Sequence, residues 1–223
     1  MRICVLGAGS LGSAIGGTLA LGGHDVTLVT RTDAHVSAIG HRGLQLVGDD
    51  GQRHVDVTAV RSADDVGAVD VVIVLVKSFD TRRAVTDAHA LARPETVWLS
   101  LQNGVGCEEI IADVVGPDRV LAGRTFVGGN LLSPGVVEYG IVGRRTTIGE
   151  LDGASTERIR VLHDAFEDCG LETEVSTDIT AMMWEKLLVN VATGAWSALT
   201  RLPYGELSVH PDVEQMAIAT VAE

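Results

Sequence analysis

Apolar and polar residues alternate along this chain in short blocks, and the block lengths predict its elements. Residues 2–6 are four apolar side chains behind one arginine, the pattern of a buried strand. Residues 7–12 form a glycine-rich turn, 13–21 predict a helix that Gly22-Gly23 ends, and 25–30 predict a second strand. Strand, glycine turn, helix, strand at this spacing is a βαβ unit. A short helix is expected over 33–41, and strands over 44–47 and 54–60 flank a hairpin turn at Asp49-Asp50-Gly51. Residues 70–76 are apolar on both faces, as in a parallel strand covered from both sides. A helix over 81–92, a strand over 97–101 and a helix over 107–115 continue the alternation.

From 120 to 150 the texture changes. Glycines recur, β-branched residues alternate, and no helical period holds, which predicts antiparallel strands closing the sheet edge with a turn at Ser133-Pro134-Gly135. A helix over 155–169 and a last strand over 172–176 follow. Residues 178–199 read as one long helix with Asp178 as its N-cap. Pro203, Gly205 and Pro211 interrupt the chain before a helical stretch from Asp212. There Val213, Met216, Ala217, Thr220 and Val221 keep a helical period with no stop signal, so further helical chain is expected beyond. The expected fold class is α/β: a Rossmann-like dinucleotide-binding domain over 1–176, then the first helices of an all-α domain over 177–223, left incomplete.

Composition narrows the function. Hydrophobic residues make up 46% of the 223, and five prolines argue against disorder. A formal net charge of -13 repels phosphate backbones and argues against nucleic-acid binding. The cysteines Cys4, Cys107 and Cys169 are odd in number and far apart, with neither zinc nor disulfide spacing. They fit a reducing cytoplasm. No apolar run nears membrane-spanning length, and the amino terminus enters a strand directly rather than a signal peptide. Of 17 basic residues only Lys77 and Lys186 are lysines. Lysine is a compact ammonium that can give up its proton, which guanidinium cannot.

Candidate chemistry begins at Gly7-Ala8-Gly9-Ser10-Leu11-Gly12. Here the first glycine permits a tight turn, the second a close approach of backbone to a pyrophosphate, and the third close packing of helix on strand. The helix start offers free N–H groups to phosphate. The second strand ends Val29-Thr30-Arg31, without the carboxylate that would hold an unphosphorylated ribose. Arg31 can pair with a 2′-phosphate, which points to NADPH, while Asp33 two residues on points the other way. Lys77 ends the strand over 70–76 and Asn103 follows the next one, at the carboxyl ends where ligands bind. Lys186 and Asn190 are four apart and share a helix face. Lys186 is the candidate proton donor to a ketone, Asn190 on the same face could help hold a keto acid, and the Asn103 amide could reach the nicotinamide ribose or the substrate carbonyl.

Taken together, GAGSLG, VIVLVKSFDT, LQNGVG and WEKLLVN, with Gly205-Glu206-Leu207 and His210-Pro211 after them, resemble the ketopantoate reductase (2-dehydropantoate 2-reductase) family over the whole chain. The resemblance implies NADPH-dependent reduction of 2-dehydropantoate to (R)-pantoate on the way to pantothenate and coenzyme A. It implies that Lys186 is catalytic, that Asn190 and Asn103 contact substrate, and that Asn103, Lys77 and Arg31 contact cofactor. The chain departs from the family pattern at Gly194-Ala195, where an Asn-Pro is usual, and at Tyr204, where Asn is frequent. Family members also run on to a substrate-binding serine and a glutamate that lie beyond Glu223. Two alternatives remain: a reductase of another keto acid on the same fold, and an NADPH-binding fragment without catalysis. Apolar helix faces left open imply either a homodimer that covers them or a poorly soluble protein.

Overall fold

In a computed structural model, which describes residues 1–48 and 51–222, the chain forms two sheets around one helix. The larger sheet begins with β1 (Arg2–Leu6) and β2 (Asp25–Val29), joined through α1 (Ser10–Leu21). Then come α2 (Asp33–Arg42), β3 (Leu44–Gly48), β4 (Gly51–Val55), β5 (Thr58–Val60) and β6 (Val71–Val74). α3 (Thr81–Asp87), β7 (Val97–Ser100), α4 (Cys107–Val115) and β8 (Val120–Thr125) follow. The chain ends with β9 (Gly128–Ser133), β10 (Val136–Gly140), β11 (Thr146–Glu150), α5 (Glu157–Asp168), β12 (Thr173–Val175), α6 (Ile179–Thr200), α7 (Tyr204–Leu207) and α8 (Pro211–Ala222).

Eight strands lie in the order β12-β11-β8-β7-β6-β1-β2-β5. From β5 to β8 every pairing is parallel, which is the doubly wound arrangement of dinucleotide-binding folds. The winding reverses between β1 and β6, so a crevice opens at their carboxyl ends. β6 is shorter than its apolar run because its partner β1 stops at Leu6, opposite Val74, where the chain leaves the sheet at Gly7.

The stretch from 120 to 150 divides between two sheets. β11 takes the edge of β8 in antiparallel register, so the hairpin of β9 and β10 cannot sit there. That hairpin joins β3 and β4 in a separate sheet of order β4-β3-β10-β9. The expected turn at Ser133-Pro134-Gly135 does connect β9 to β10. β3 and β4 form the expected hairpin, with Gly48 opposite Gly51, although Asp49 and Asp50 lie outside the described residues. The strand expected over 54–60 breaks instead, and β5 pairs with β2 in the main sheet.

α1 explains why two sheets are needed. It begins three residues earlier than its sequence suggests, and residues 12–19 are all buried. A helix apolar all round must be covered on more than one side. Gly16 faces the main sheet, where an added Cβ would lie 2.6 Å from Leu28, and Gly17 faces the small sheet, where one would lie 2.7 Å from Leu44. Leu44, Leu46, Val137 and Tyr139 complete that second cover.

α6 is fastened at its start. Asp178 caps it by accepting from Ala181 N–H at 3.1 Å, as its sequence predicts. Ile179 and Met183 are buried against Ala122 and Val105, each burial worth about 1.5–3 kcal/mol. Beyond Lys186 the helix is half-exposed or open, with Leu188, Val189 and Leu199 among its uncovered side chains. Among the described residues no helix is long and apolar enough to cross a membrane.

Candidate functional site

The glycine turn is built as its residues require. Gly7 has φ of 106°, and a Cβ there would stand 2.5 Å from Val76 N, so the turn touches the backbone just past β6. Gly9 faces open space out to 4 Å. Gly7 and Ala8 both donate their N–H to Val29 O, at 3.0 and 2.9 Å, which ties the turn to the end of β2. Ala8 is buried, and Gly12 packs on β1 beside Val5. Ser10, Leu11 and Gly12 are the first turn of α1, whose N-cap Gly9 offers no side-chain cap. Their N–H groups are therefore the ones that α1 cannot satisfy internally. Ser10 Oγ accepts from Leu131 N–H at 3.1 Å and braces the turn against β9.

A cavity of about 400 Å³ runs from Gly7 and Gly9 past the end of β2 to Arg61 and Ser62. Lys77, Arg31, Asp80 and Arg83 line it. The helix start, the room above Gly9 and the surrounding cations fit the pyrophosphate and adenosine half of a dinucleotide. Asp33 pairs with Arg61 at 2.6 Å and does not line the cavity. Two carboxylates do line it, Asp80 and Asp87, and the sequence assigned a role to neither.

A second group of side chains gathers at the carboxyl ends of β7 and β8. Lys186, reaching over from α6, donates to Asn103 Oδ1 at 2.8 Å and to the Thr125 carbonyl at 2.6 Å. An ammonium has three N–H donors, so one is left for a ligand. Burial, and then the nearby Arg124 guanidinium, push the Lys186 pKa below the ordinary 10.5. Asn190 is half-buried one turn along the same face of α6 and makes no hydrogen bond with Lys186 or Asn103.

Arg124 was not anticipated. It stands in β8, otherwise composed of small and apolar residues and Thr125, with its side chain 14% exposed. It donates to Met182 O at 2.8 Å and to Glu185 at 3.2 Å, and its Nε is buried without a partner among the described residues. Arg124 Cζ and Lys186 Nζ each lie 5.6 Å from the Phe126 ring centre, within cation–π range. An arginine inside a buried strand was the signal available in the sequence. The two departures from the family pattern meet in space: the Tyr204 hydroxyl lies 3.7 Å from where a Cβ on Gly194 would stand.

A buried relay joins the small sheet to the glycine turn. Gly135 N–H donates to His35 Nδ1 at 2.9 Å, which leaves the ring proton on Nε2, 3.0 Å from Ser13 Oγ. Ser13 Oγ in turn donates to Ala8 O at 3.4 Å. His35 is 1% exposed, and burial lowers its pKa from 6.5.

Comparison with known proteins gives consistent results. Residues 3–153 match the family model described as "Ketopantoate reductase PanE/ApbA", and residues 178–223 match that of its C-terminal part. The chain is 39% identical to the 2-dehydropantoate 2-reductase of Halobacterium salinarum, over all of its own length and 73% of the relative's. It is 36% identical to the enzyme of that name from Pyrococcus horikoshii, over all of the chain and 72% of the relative. Among crystal structures, the 2-dehydropantoate 2-reductase of Geobacter metallireducens superposes with a TM-score of 0.90 at 29% identity, over 97% of this chain and 71% of that one. A ternary complex of D-mandelate dehydrogenase with NADH and anilino(oxo)acetate gives 0.91 at 25% identity, over 97% and 70%.

Proposed function

Because the chain belongs to the ketopantoate reductase family, we propose that it reduces 2-dehydropantoate to (R)-pantoate with NADPH, toward pantothenate and coenzyme A. Residues 1–176 serve as the dinucleotide-binding domain and 177–223 as the start of the helical substrate and dimerisation domain. The observation that carries this reading is the Lys186 ammonium, fixed by Asn103 and Thr125 with one donor unspent.

In this reading Gly7 to Gly12 seat the pyrophosphate on the helix start, Lys77 stands beside it, and Arg31 meets the 2′-phosphate. Reduced nicotinamide, when bound, supplies the hydride that the ketone carbon accepts. Lys186 directs its free N–H at the ketone oxygen and passes that proton to the oxygen as the carbon is reduced, leaving an alcohol and a neutral amine. The amine regains a proton from solvent. The lowered pKa makes the proton easier to give, and Asn103 and Thr125 O hold the donor in place. Asn190, one turn on, contacts the carboxylate or hydroxyl end of the substrate. The uncovered apolar side chains of α6 and α8, Leu188, Val189 and Ile218 among them, support a homodimer. The unpaired cysteines support a cytoplasmic site.

Steady-state oxidation of NADPH with 2-dehydropantoate, beside an NADH control, tests the proposal. Turnover that requires Lys186 and prefers NADPH supports it; dinucleotide binding without turnover of any keto acid leaves only a binding fragment. One observation favours a second reading. Tyr204 beside Gly194 puts a phenol where the family carries amides, which suits a keto acid with a different side chain. Relative kcat/KM over a panel of 2-keto acids separates the two.

A further inference from the structure

The cavity at the end of β2 contains a carboxylate that the sequence of β2 does not supply. Asp80 lies in the turn between β6 and α3. Its Oδ2 accepts from Arg31 at 2.7 Å and its Oδ1 from Arg83 at 2.5 Å. The Asp80 side chain is 17% exposed, against 70% for Arg31 and 57% for Arg83. The acid is thus the fixed member, and the two arginines are solvent-facing arms that close on it. All three line the same cavity as Gly7 and Gly9.

We propose that Asp80 is a specificity-determining residue, a carboxylate brought to the end of β2 through space rather than along the chain. By placing a negative charge beside Arg31, it weakens the cavity's preference for a phosphorylated adenine ribose. This rests on the reading that the cavity takes the adenosine half of a nicotinamide dinucleotide. A carboxylate near the end of the second strand accepts hydrogen bonds from ribose hydroxyls and repels a 2′-phosphate of charge about −2. Within this cluster Arg31, Arg83 and Asp80 together carry a single net positive charge, and without the carboxylate they carry two. Arg31 must also share its donors between Asp80 and the phosphate.

The opposite effect, in which Asp80 orients the arms for phosphate, is the smaller one. Both arms are more than half exposed, and exposed ion pairs hold side chains weakly. A like-charge contact at about 4–5 Å near a protein surface costs roughly tenfold in affinity or more.

The test is calorimetric titration of the full chain with adenosine 2′,5′-bisphosphate and with adenosine 5′-monophosphate, which differ only in the 2′-phosphate. In Asp80→Asn the affinity ratio shifts about tenfold toward the bisphosphate. In an Arg31→Gln background part of the shift remains, because the charge of Asp80 still opposes the phosphate. Should Asp80→Asn not fold, as judged by thermal melting, Asp80→Ser reads the same ratio. An unmoved ratio, or one that moves toward the monophosphate, overturns the role of Asp80 alone. If the unmodified chain binds neither nucleotide, the dinucleotide reading of the cavity falls and this inference with it.

Discussion

Lys186 Nζ and Asn103 Oδ1 are joined by a 2.8 Å hydrogen bond across 83 residues of chain. It links the helix that begins after the sheet to the end of a strand inside it. Replacing Lys186 with Ala is expected to lower kcat by about 10²–10⁴-fold, the usual contribution of a positioned general acid. The dissociation constant for NADPH should stay within about twofold. Asn103→Ala, which loosens the donor without removing it, should fall between that variant and the parent. Stopped-flow turnover and fluorescence titration of the cofactor separate the two effects.

The acid limb and base limb of the rate profile should not be symmetric in origin. Lys186 donates its proton, so activity is lost as pH rises through its pKa, which burial and Arg124 hold below 10.5. Arg124→Gln removes the repelling charge, and the alkaline limb of kcat/KM should move to higher pH. Because Lys186 and Lys77 are the only lysines, labelled lysine gives two side-chain signals, and NMR titration reads the pKa directly. An alkaline limb that stays where it was would remove Arg124 from the site.

Gly7→Ala places a methyl 2.5 Å from Val76 N at a φ of 106°. Strain and clash together are expected to destabilise the chain by about 1–3 kcal/mol in urea denaturation. Cofactor binding should weaken further than stability alone explains, since the turn must move from both Val29 and Val76. Gly9→Ala meets no such clash, so it should fold normally and lose affinity only where the pyrophosphate is crowded.

His35 should make stability depend on pH. Its folded pKa is lowered by burial, so the unfolded chain takes the proton first as pH falls. Stability is full above about 6.5, the unfolded value, and declines as pH drops below it toward the folded pKa. Protonation also removes the acceptor that Gly135 N–H uses. His35→Gln should give a melting temperature that changes less between pH 7 and 5 than the parent's. Equal slopes would show that other groups dominate this window.

The main sheet was legible because its strands are continuous apolar runs and its glycine turn sits between the first of them and a helix. The long helix and its Asp178 cap were legible for the same local reasons. The second sheet was not, because alternation shows which side chains of β10 are buried but not which neighbour covers them, and β9 is exposed throughout. Val137 and Tyr139 would alternate in the same way on either sheet. In the site, Lys186 and Asn103 stood out by residue type and position. Asp80 and Arg83 did not, because their meaning arises only when the turn after β6 folds back over the end of β2. Asp33, close in sequence to Arg31, drew the attention that Asp80 warranted, and the structure gives it to Arg61.

The bond from Leu131 to Ser10 has a consequence for how this chain comes off the ribosome. A nascent polypeptide made as far as residue 100 already carries the whole Gly7–Gly12 motif, with β1, α1 and β2 to form around it. It still lacks β9, β10 and Gly135, which brace Ser10 and engage His35. The bracing of the turn is therefore completed only once the chain has been made through β10, well after the motif itself.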